Sequence, residues 1–231
     1  MSKKPEHIAL IPDGNRRWAS REGKSTIEGH RQGFEIFINF CKWCKKAGIQ
    51  ELTAYGFSTE NWKRPQDQVE DLMKLFNQGL KEKVLNSDEE ELENTKIRVV
   101  GQKEELPKRL QKTIAKVEDL TKNNEKLQLN LAINYGGRWE IKQLIKKLVK
   151  KAAKQGKEAI KDLDIKQKLQ VKKSPDLIIR TGGEKRLSNF LTWQSAYSEL
   201  YFSDKLWPDF SKEDFKEVLK EYSKRKRRFG E

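Results

Sequence analysis

Short apolar runs alternate along this chain with longer stretches in which apolar residues return every three or four positions. The first pattern reads as buried strands and the second as amphipathic helices. Ile8, Ala9, Leu10 and Ile11 form a strand that stops abruptly at Pro12-Asp13-Gly14-Asn15, with a helix beginning a few residues on. A second helix runs from Ile27 to Ala47 and ends at Gly48, with Phe34, Phe37, Ile38, Cys41 and Cys44 on one face. Glu51 to Phe57 is the second strand, and the turn from Ser58 to Pro65 leads into a long helix with Val69, Leu72, Met73, Phe76, Leu80 and Val84 on its apolar side. That helix runs out in the acidic stretch from Asp88 to Glu91.

The alternation continues with strands at Lys96 to Val100 and Leu127 to Ile133. Between them Leu106, Leu110, Ile114, Val117 and Leu120 mark a helix, and Ile141, Leu144, Ile145 and Leu148 mark the next one. The Lys-rich region from Gly156 to Lys173 predicts only a short helix around Ile160 to Leu169. Strands follow at Asp176 to Thr181 and Glu199 to Phe202, and a final helix carries Phe215, Val218, Leu219 and Tyr222. Strands alternating with helices predict an α/β fold: one domain over residues 1–231, with a mainly parallel six-stranded sheet covered by helices on both faces. In such sheets ligands bind outside the carboxyl ends of the strands, so Asp13 to Arg17, Ser58 to Arg64, Asn134 to Arg138 and Arg180 to Ser188 converge on one edge.

Charge narrows the partners without choosing among them. The excess of 49 Lys and Arg over 35 Asp and Glu gives a net charge of +14, which suits nucleic acid, an acidic membrane surface or phosphorylated small molecules. Most lysines are interspersed with glutamates, as from Glu140 to Lys154, and read as solvated helical faces. The exception is the run Lys224-Arg225-Lys226-Arg227-Arg228. Cys41 and Cys44 have C-x-x-C spacing, but they lie late in a helix and on its apolar side, which favours a structural role and a reducing compartment. The sequence contains neither a visible signal peptide nor an apolar run of about 18 residues, so a cytoplasmic protein is expected.

The first turn suggests chemistry. Gly14 and Asn15 let the backbone turn with amides outward, Arg16 and Arg17 add two cations, and Asp13 would repel an anion unless a divalent cation lay between them. A phosphate and metal site is one reading, and an ordinary Asp-Gly turn with solvated arginines is the other. Gly23-Lys24-Ser25-Thr26 fails as a nucleoside-triphosphate loop because Trp18 stands where its first glycine belongs. No G-x-G-x-x-G follows a strand, two histidines are too few for a histidine-rich metal site, and there is no Asp-Asp pair.

Five blocks, taken in order, say more: His7 to Trp18, Tyr55-Gly56-Phe57-Ser58-Thr59-Glu60-Asn61-Trp62-Lys63-Arg64-Pro65, Asn134-Tyr135-Gly136-Gly137-Arg138-Trp139, Pro175 to Phe190 with its Arg180-Thr181-Gly182-Gly183-Glu184-Lys185-Arg186, and Ala196 to Phe202 followed by Leu206-Trp207-Pro208-Asp209-Phe210. At these spacings they closely resemble the cis-prenyltransferases, the undecaprenyl diphosphate synthase family, from His7 to Gly230.

The resemblance implies sequential cis-condensation of isopentenyl diphosphate onto an allylic diphosphate, farnesyl or geranylgeranyl, giving a long-chain polyprenyl diphosphate that is the precursor of a glycosyl carrier lipid. By it, Gly14, Asn15, Arg16, Arg17 and His30 cradle the allylic diphosphate. Arg180, Arg186 and Ser188, with Leu187 between them, form the isopentenyl diphosphate site, and Ser58, Thr59, Glu60 and Arg64 join the substrate contacts. Asp13 and Glu199 match the magnesium positions, with Asp13 also catalytic. Asn61 matches a position tied to proton removal, and since an amide is a poor base it is expected to orient a group or a water. Trp18, Phe57 and Trp62 would wall off water, and Leu72, Phe76 and Leu80 would line an apolar product tunnel between the sheet and the helices at Ile27 to Ala47 and about Pro65 to Glu93; core packing is the other reading of both sets. The family is typically a homodimer, and Trp207 to Phe210 and Arg228-Phe229-Gly230 resemble its dimer and C-terminal elements.

Three departures bear on starter and product length. Thr26 stands where many members have an arginine, leaving Lys24 or Arg16 to supply the charge; Lys185 replaces a frequent histidine; and the helix ending at Asp88 to Glu91 is longer than usual. Archaeal members share such features. Two rival readings are a nucleic-acid-binding protein and a non-catalytic partner subunit. The aromatics are not interleaved with the basic run, which argues for no nucleic acid, and Asp13, Asn61, Arg180, Arg186 and Glu199 are all present, which argues for an enzyme. Peripheral contact of the basic C-terminus with an anionic membrane is a further expectation.

Overall fold

The structure is a computed structural model that describes residues 4–86, 92, 94–161 and 164–225. Its strands are β1 (His7–Ile11), β2 (Glu51–Ser58), β3 (Thr95–Val100), β4 (Leu127–Tyr135), β5 (Leu177–Arg180) and β6 (Glu199–Phe202). They form a six-stranded sheet in the order β3-β4-β2-β1-β5-β6, with every pairing parallel. The helices are α1 (Asn15–Arg21), α2 (Thr26–Ala47), α3 (Gln66–Leu80), α4 (Lys108–Leu120), α5 (Gly137–Gln155) and α6 (Lys212–Lys224). β1 and β5 are buried at every position because they lie inside the sheet with both of its faces covered there, which is why they read as continuous apolar runs.

Local signals fix the helices that frame the site. Ser25 and Glu28 form a capping box at the start of α2, and Gly48 closes it in a left-handed conformation at φ 70°. α1 lies hard against α2 because two glycines allow it: a Cβ on Gly29 would meet the Asn15 carbonyl oxygen at 2.3 Å, and one on Gly33 would meet Asn15 Oδ1 at 2.3 Å. On the far side of α2, Phe40 packs edge-on against Trp207 and Phe215, at centroid distances of 5.7 and 5.1 Å. Trp207 Nε1 donates to the Gly33 carbonyl at 2.7 Å. Trp207 and Phe210 are therefore core residues, 1% exposed, and not the dimer surface that the resemblance suggested. Cys41 and Cys44 are free and fully buried, and burial pushes the Cys41 thiol up to about 12.

Four predicted elements change in the structure. β2 and β4 extend to Ser58 and Tyr135, which pair with each other beyond two register shifts. α3 continues as a π-turn over Lys81–Leu85; the acidic stretch 88–91 on which its extra length was read lies outside the described residues, as do 228–230. The helix expected around Ile160 to Leu169 is replaced by single 3-10 turns at Lys157–Ile160 and Lys166–Lys168, where few apolar residues are available to seat a longer helix. Glu140, read as part of a solvated face, is 4% exposed and accepts hydrogen bonds from Tyr135 Oη at 2.7 Å, Gln194 Nε2 at 3.1 Å and the Gln170 amide at 2.7 Å.

At the amino-terminal edge of the sheet His7 is fully buried, with Nε2 2.8 Å from Thr53 Oγ1. Burial lowers its pKa below the ordinary value, against smaller opposing effects from Glu51 and Asp176. In the unfolded chain the imidazole takes up a proton near its ordinary value of 6.5, before the folded one does. Stability contributed by the neutral ring is thus present above that pH and declines as pH falls below it. Denaturant titrations should show a smaller loss of stability from pH 7.5 to pH 5.5 in His7→Gln than in the unaltered chain.

Candidate active site

The first turn works as a brace. Gly14, at φ 117°, turns the chain from β1 into α1 and packs against Leu206, whose Cα lies 2.9 Å from where a Cβ would stand. Asp13 follows β1, and Thr181 follows β5 beside it; the Thr181 hydroxyl donates to the Asp13 carbonyl at 2.8 Å and accepts the Asp13 amide at 3.0 Å. Asp13 Oδ2 accepts from Arg180 Nη2 at 2.8 Å, and Oδ1 accepts from Arg17 Nη2 at 3.3 Å. Arg180 is nearly buried, and its Nη1 donates to Ser188 Oγ at 2.8 Å and to the Arg186 carbonyl. Arg17 Nη1 donates to the Gly182 carbonyl at 2.7 Å, tying the same two loops together. The exposed Arg186 pairs with its near neighbour Glu184, whereas Arg180 reaches across to Asp13. Asp176 accepts the Glu6 and His7 amides at 2.9 and 3.0 Å.

Beside this turn lies a pair of polar side chains. Asn15 Nδ2 is 3.2 Å from His30 Nδ1. An amide NH2 donates, so Nδ1 accepts and the ring proton sits on Nε2. That Nε2 and Asn15 Oδ1 are both buried without a hydrogen-bond partner, and both residues border the cavity. Burial, with Arg64 and Arg16 adding to it, pulls the His30 pKa down to about 4. Arg16 acts on His30 from close by, whereas the Lys24 ammonium sits 5.4 Å from the Trp18 ring centroid.

The turn after β2 is a 3-10 turn, Thr59–Lys63, capped by Ser58. Asn61 Oδ1 accepts the Ser58 amide at 3.0 Å, which leaves the Asn61 NH2 as the group for a ligand or water. Asp13, Asn15, His30, Ser58, Asn61, Arg64, Arg180 and Ser188 all border one cavity of about 300 Å³. Its body runs between the sheet and helices α2 and α3, lined by Phe34, Phe37, Leu72, Phe76 and Leu80, as the tunnel reading required. Cations and unsatisfied polar atoms thus ring the mouth of an apolar hollow.

Other predicted residues stand apart from that cavity. Trp18 is held outward by Asp209, with Nε1 donating to Oδ1 at 3.0 Å, and Trp62, 39% exposed, donates to Asn134 Oδ1 at 2.8 Å. Of the three aromatics expected as walls, only Phe57 lines the space. Leu187 packs against the core on the other face of the sheet, and Thr59 and Glu60 bond to each other. Glu199 stands apart from Asp13 within the chain: it opens β6 opposite Leu177, whereas Asp13 lies beyond the other end, past the Ile11 and Arg180 pair. Its carboxylate pairs with Arg225 at 3.0 Å, so one chain does not bring Asp13 and Glu199 together. That pairing also folds Arg225 back onto the protein; residues 226–228 of the basic run lie outside the described residues.

Sequence reasoning missed Thr181, Tyr55 and Asn189. Tyr55 stacks on Phe190 at 4.4 Å and donates to the Tyr135 and Ser188 carbonyls, a pairing of distant loops that no local pattern reveals. Among the described residues no cluster of three or more His, Cys, Asp or Glu could cage a metal, and no helix is long and apolar enough to cross a membrane.

A cationic mouth over an apolar hollow defines a site for an amphiphile with an anionic head and a hydrocarbon tail. Residues 11–230 match the family model described as putative undecaprenyl diphosphate synthase. The isoprenyl transferase of Thermotoga maritima is 47% identical over 230 residues, covering 98% of this chain and 97% of that protein. A ditrans,polycis-undecaprenyl-diphosphate synthase of Pasteurella multocida, named as (2E,6E)-farnesyl-diphosphate specific, is 45% identical over 98% of this chain and 95% of its own. The crystal structure of lavandulyl diphosphate synthase from Lavandula x intermedia in complex with dimethylallyl diphosphate superposes with a TM-score of 0.90 at 34% identity, covering 99% of each chain. The chain belongs to the undecaprenyl diphosphate synthase family, the cis-prenyltransferases.

Because His30 is neutral down to about pH 4 and His7 is also lowered, neither of the two histidines should titrate near 6.5. Ring-proton NMR from pH 8 to pH 5, with His7→Gln for assignment, should find the His30 signal essentially unmoved; a midpoint near 6.5 would contradict the buried geometry.

Proposed function

We propose that the chain catalyses sequential cis-condensation of isopentenyl diphosphate onto an allylic diphosphate, lengthening a polyprenyl diphosphate. The observation that carries this reading is the single cavity bordered by Arg64, Arg180 and His30 at one end and by Leu72, Phe76 and Leu80 along its length. The diphosphate head needs cations and donors, and the growing hydrocarbon needs a dry wall. Gly14, Asn15, Arg16 and Arg17 with the neutral His30 would hold the allylic diphosphate, His30 Nε2–H donating to a phosphate oxygen in place of the partner it lacks. Arg180, Arg186 and Ser188 would hold isopentenyl diphosphate by charge-assisted hydrogen bonds. The Asn61 NH2 would orient a group at the reacting carbons, and apolar walls would keep water from the allylic cation. The farnesyl-specific name of the Pasteurella multocida relative supports farnesyl diphosphate as the starter.

Family members of this class generally need a divalent metal, and the residues present fit one that is shared with substrate. Asp13 is partly exposed at the cavity mouth and offers carboxylate oxygens, and in the absence of a protein cage among the described residues the other ligands would be diphosphate oxygens and water, as magnesium prefers. Bound there, magnesium would offset charge that builds on the departing diphosphate. A homodimer is supported by the place of β6 at the end of the sheet and the exposed apolar residues Trp193, Tyr197 and Leu200 on or near it, with Ile145 and Val149 exposed on α5.

Labelled isopentenyl diphosphate incubated with farnesyl or geranylgeranyl diphosphate should give magnesium-dependent polyprenyl ladders. Asp13→Ala should lower the rate by about 100-fold or more. No product from either starter in a folded protein would overturn the reading. Arg186→Ala, at an exposed position, should weaken isopentenyl diphosphate by roughly 10- to 150-fold in KM while thermal stability stays unchanged.

A further inference from the structure

Asn189 is the meeting point of three loops that leave the carboxyl edge of the sheet. Its carbonyl accepts the Gly137 amide at 2.7 Å, its Oδ1 accepts the Arg138 amide at 2.8 Å, and its Nδ2 donates to Glu60 Oε1 at 2.8 Å. The other oxygen of Glu60 accepts the Ser58 hydroxyl at 2.7 Å and the Thr59 hydroxyl at 3.1 Å. One carboxylate therefore ties the turn after β2 to the loop after β5. That loop needs tying: Ser188, Asn189 and Leu191 have φ of 50°, 65° and 45°, a region such residues hold only when their surroundings over-determine it. The neighbours of the tie are site groups. Asn61 follows Glu60 and borders the cavity, and Ser188 precedes Asn189 and receives Arg180 Nη1 at 2.8 Å.

We propose that Glu60 and Asn189 form a latch that holds the Ser58 to Arg64 turn and the Arg186 to Ser188 loop in register, making Glu60 a positioning residue and not a substrate contact. The catalytic consequence rests on the prenyltransferase reading: the turn carries Asn61 to the reacting carbons and the loop carries the isopentenyl diphosphate site, and the latch sets their separation. The allylic diphosphate cradle on the β1 turn and α2 is not tied by it.

The polarity of the latch makes it testable. Asn189 Oδ1 is committed to the Arg138 amide, so its NH2 must face Glu60. With the single oxygen left by E60Q held by the Ser58 and Thr59 hydroxyls, that variant sets two donors face to face, and N189D sets two carboxylates face to face. The double variant E60Q/N189D reverses the polarity and restores one N–H···O contact. The carboxylate it places at position 189 still accepts from the Arg138 amide, and the amide oxygen it places at position 60 still accepts from the Ser58 hydroxyl. Steady-state kinetics with farnesyl diphosphate, isopentenyl diphosphate and magnesium should show kcat about 10-fold or more lower in each single variant, with KM for farnesyl diphosphate within about twofold, and recovery in the double variant. Hydrogen exchange without substrate should be faster over 58–64 and 186–190 in each single variant and return in the double. Single variants with unaltered exchange in both segments, or a double variant no better than the poorer single, would overturn the latch. Absence of turnover in the unaltered chain would defeat the prenyltransferase reading, and the exchange data would still decide the latch.

Discussion

The interaction on which the site depends is the ion pair between Arg180 and Asp13. Arg180 is the last residue of β5 and its side chain is only 5% exposed, so its charge is taken out of water and must be matched. Asp13 supplies the match from the neighbouring strand, Ser188 and the Arg186 carbonyl take the other terminal nitrogen, and Arg17 braces Asp13 from outside. A guanidinium held in this way is already aimed before an anion arrives, and little reorganisation accompanies binding. Removing either partner would leave the other charge stranded at the centre of the sheet edge, so a variant here tests folding and chemistry together.

The two faces of the sheet divide the labour. On one, large apolar side chains from α2, α3 and the strands leave a hollow along their seam. On the other, Ala9 and Ala132 leave room for Tyr135, Phe190 and Leu191, and the buried carboxylate of Glu140 ties α5 to Tyr135 at the end of β4, to the Gln170 amide and to Gln194 by hydrogen bonds. A hydrogen-bonded layer is rigid and directional, which suits a face that must hold loops at fixed positions. A layer of apolar side chains has no such directionality, and it is there that the space for a hydrocarbon lies.

Much of this was legible in the sequence because parallel strands between two helical layers must be apolar and glycine-rich turns must follow them. The convergence of Asp13, Ser58, Asn61, Arg64 and Arg180 follows from that rule alone. The same rule sets Glu199 apart, since it opens its strand where the others follow the ends of theirs, and within one chain it lies at the opposite edge from Asp13. Trp18 and Trp62 were misplaced because each indole nitrogen had a polar partner outside the cavity, Asp209 and Asn134, and those partners lie far away along the chain. Glu140 carries the same lesson, since a glutamate beside lysines gives no sign that a tyrosine, a glutamine and a backbone amide await it inside.

The strand order has a consequence for how the molecule is made. β1 sits between β2 and β5, and the partner of Asp13 lies 167 residues further along. On a ribosome adding about 5 to 20 residues per second, the His7 to Ile11 strand waits roughly 8 to 33 seconds for its second neighbour. For that interval the nascent chain carries an apolar strand with one hydrogen-bonding edge open, the geometry that invites pairing with another chain. Synthesis of the second half of this protein is therefore a race against self-association, and the cell's holding chaperones would meet it while β1 still lacks β5.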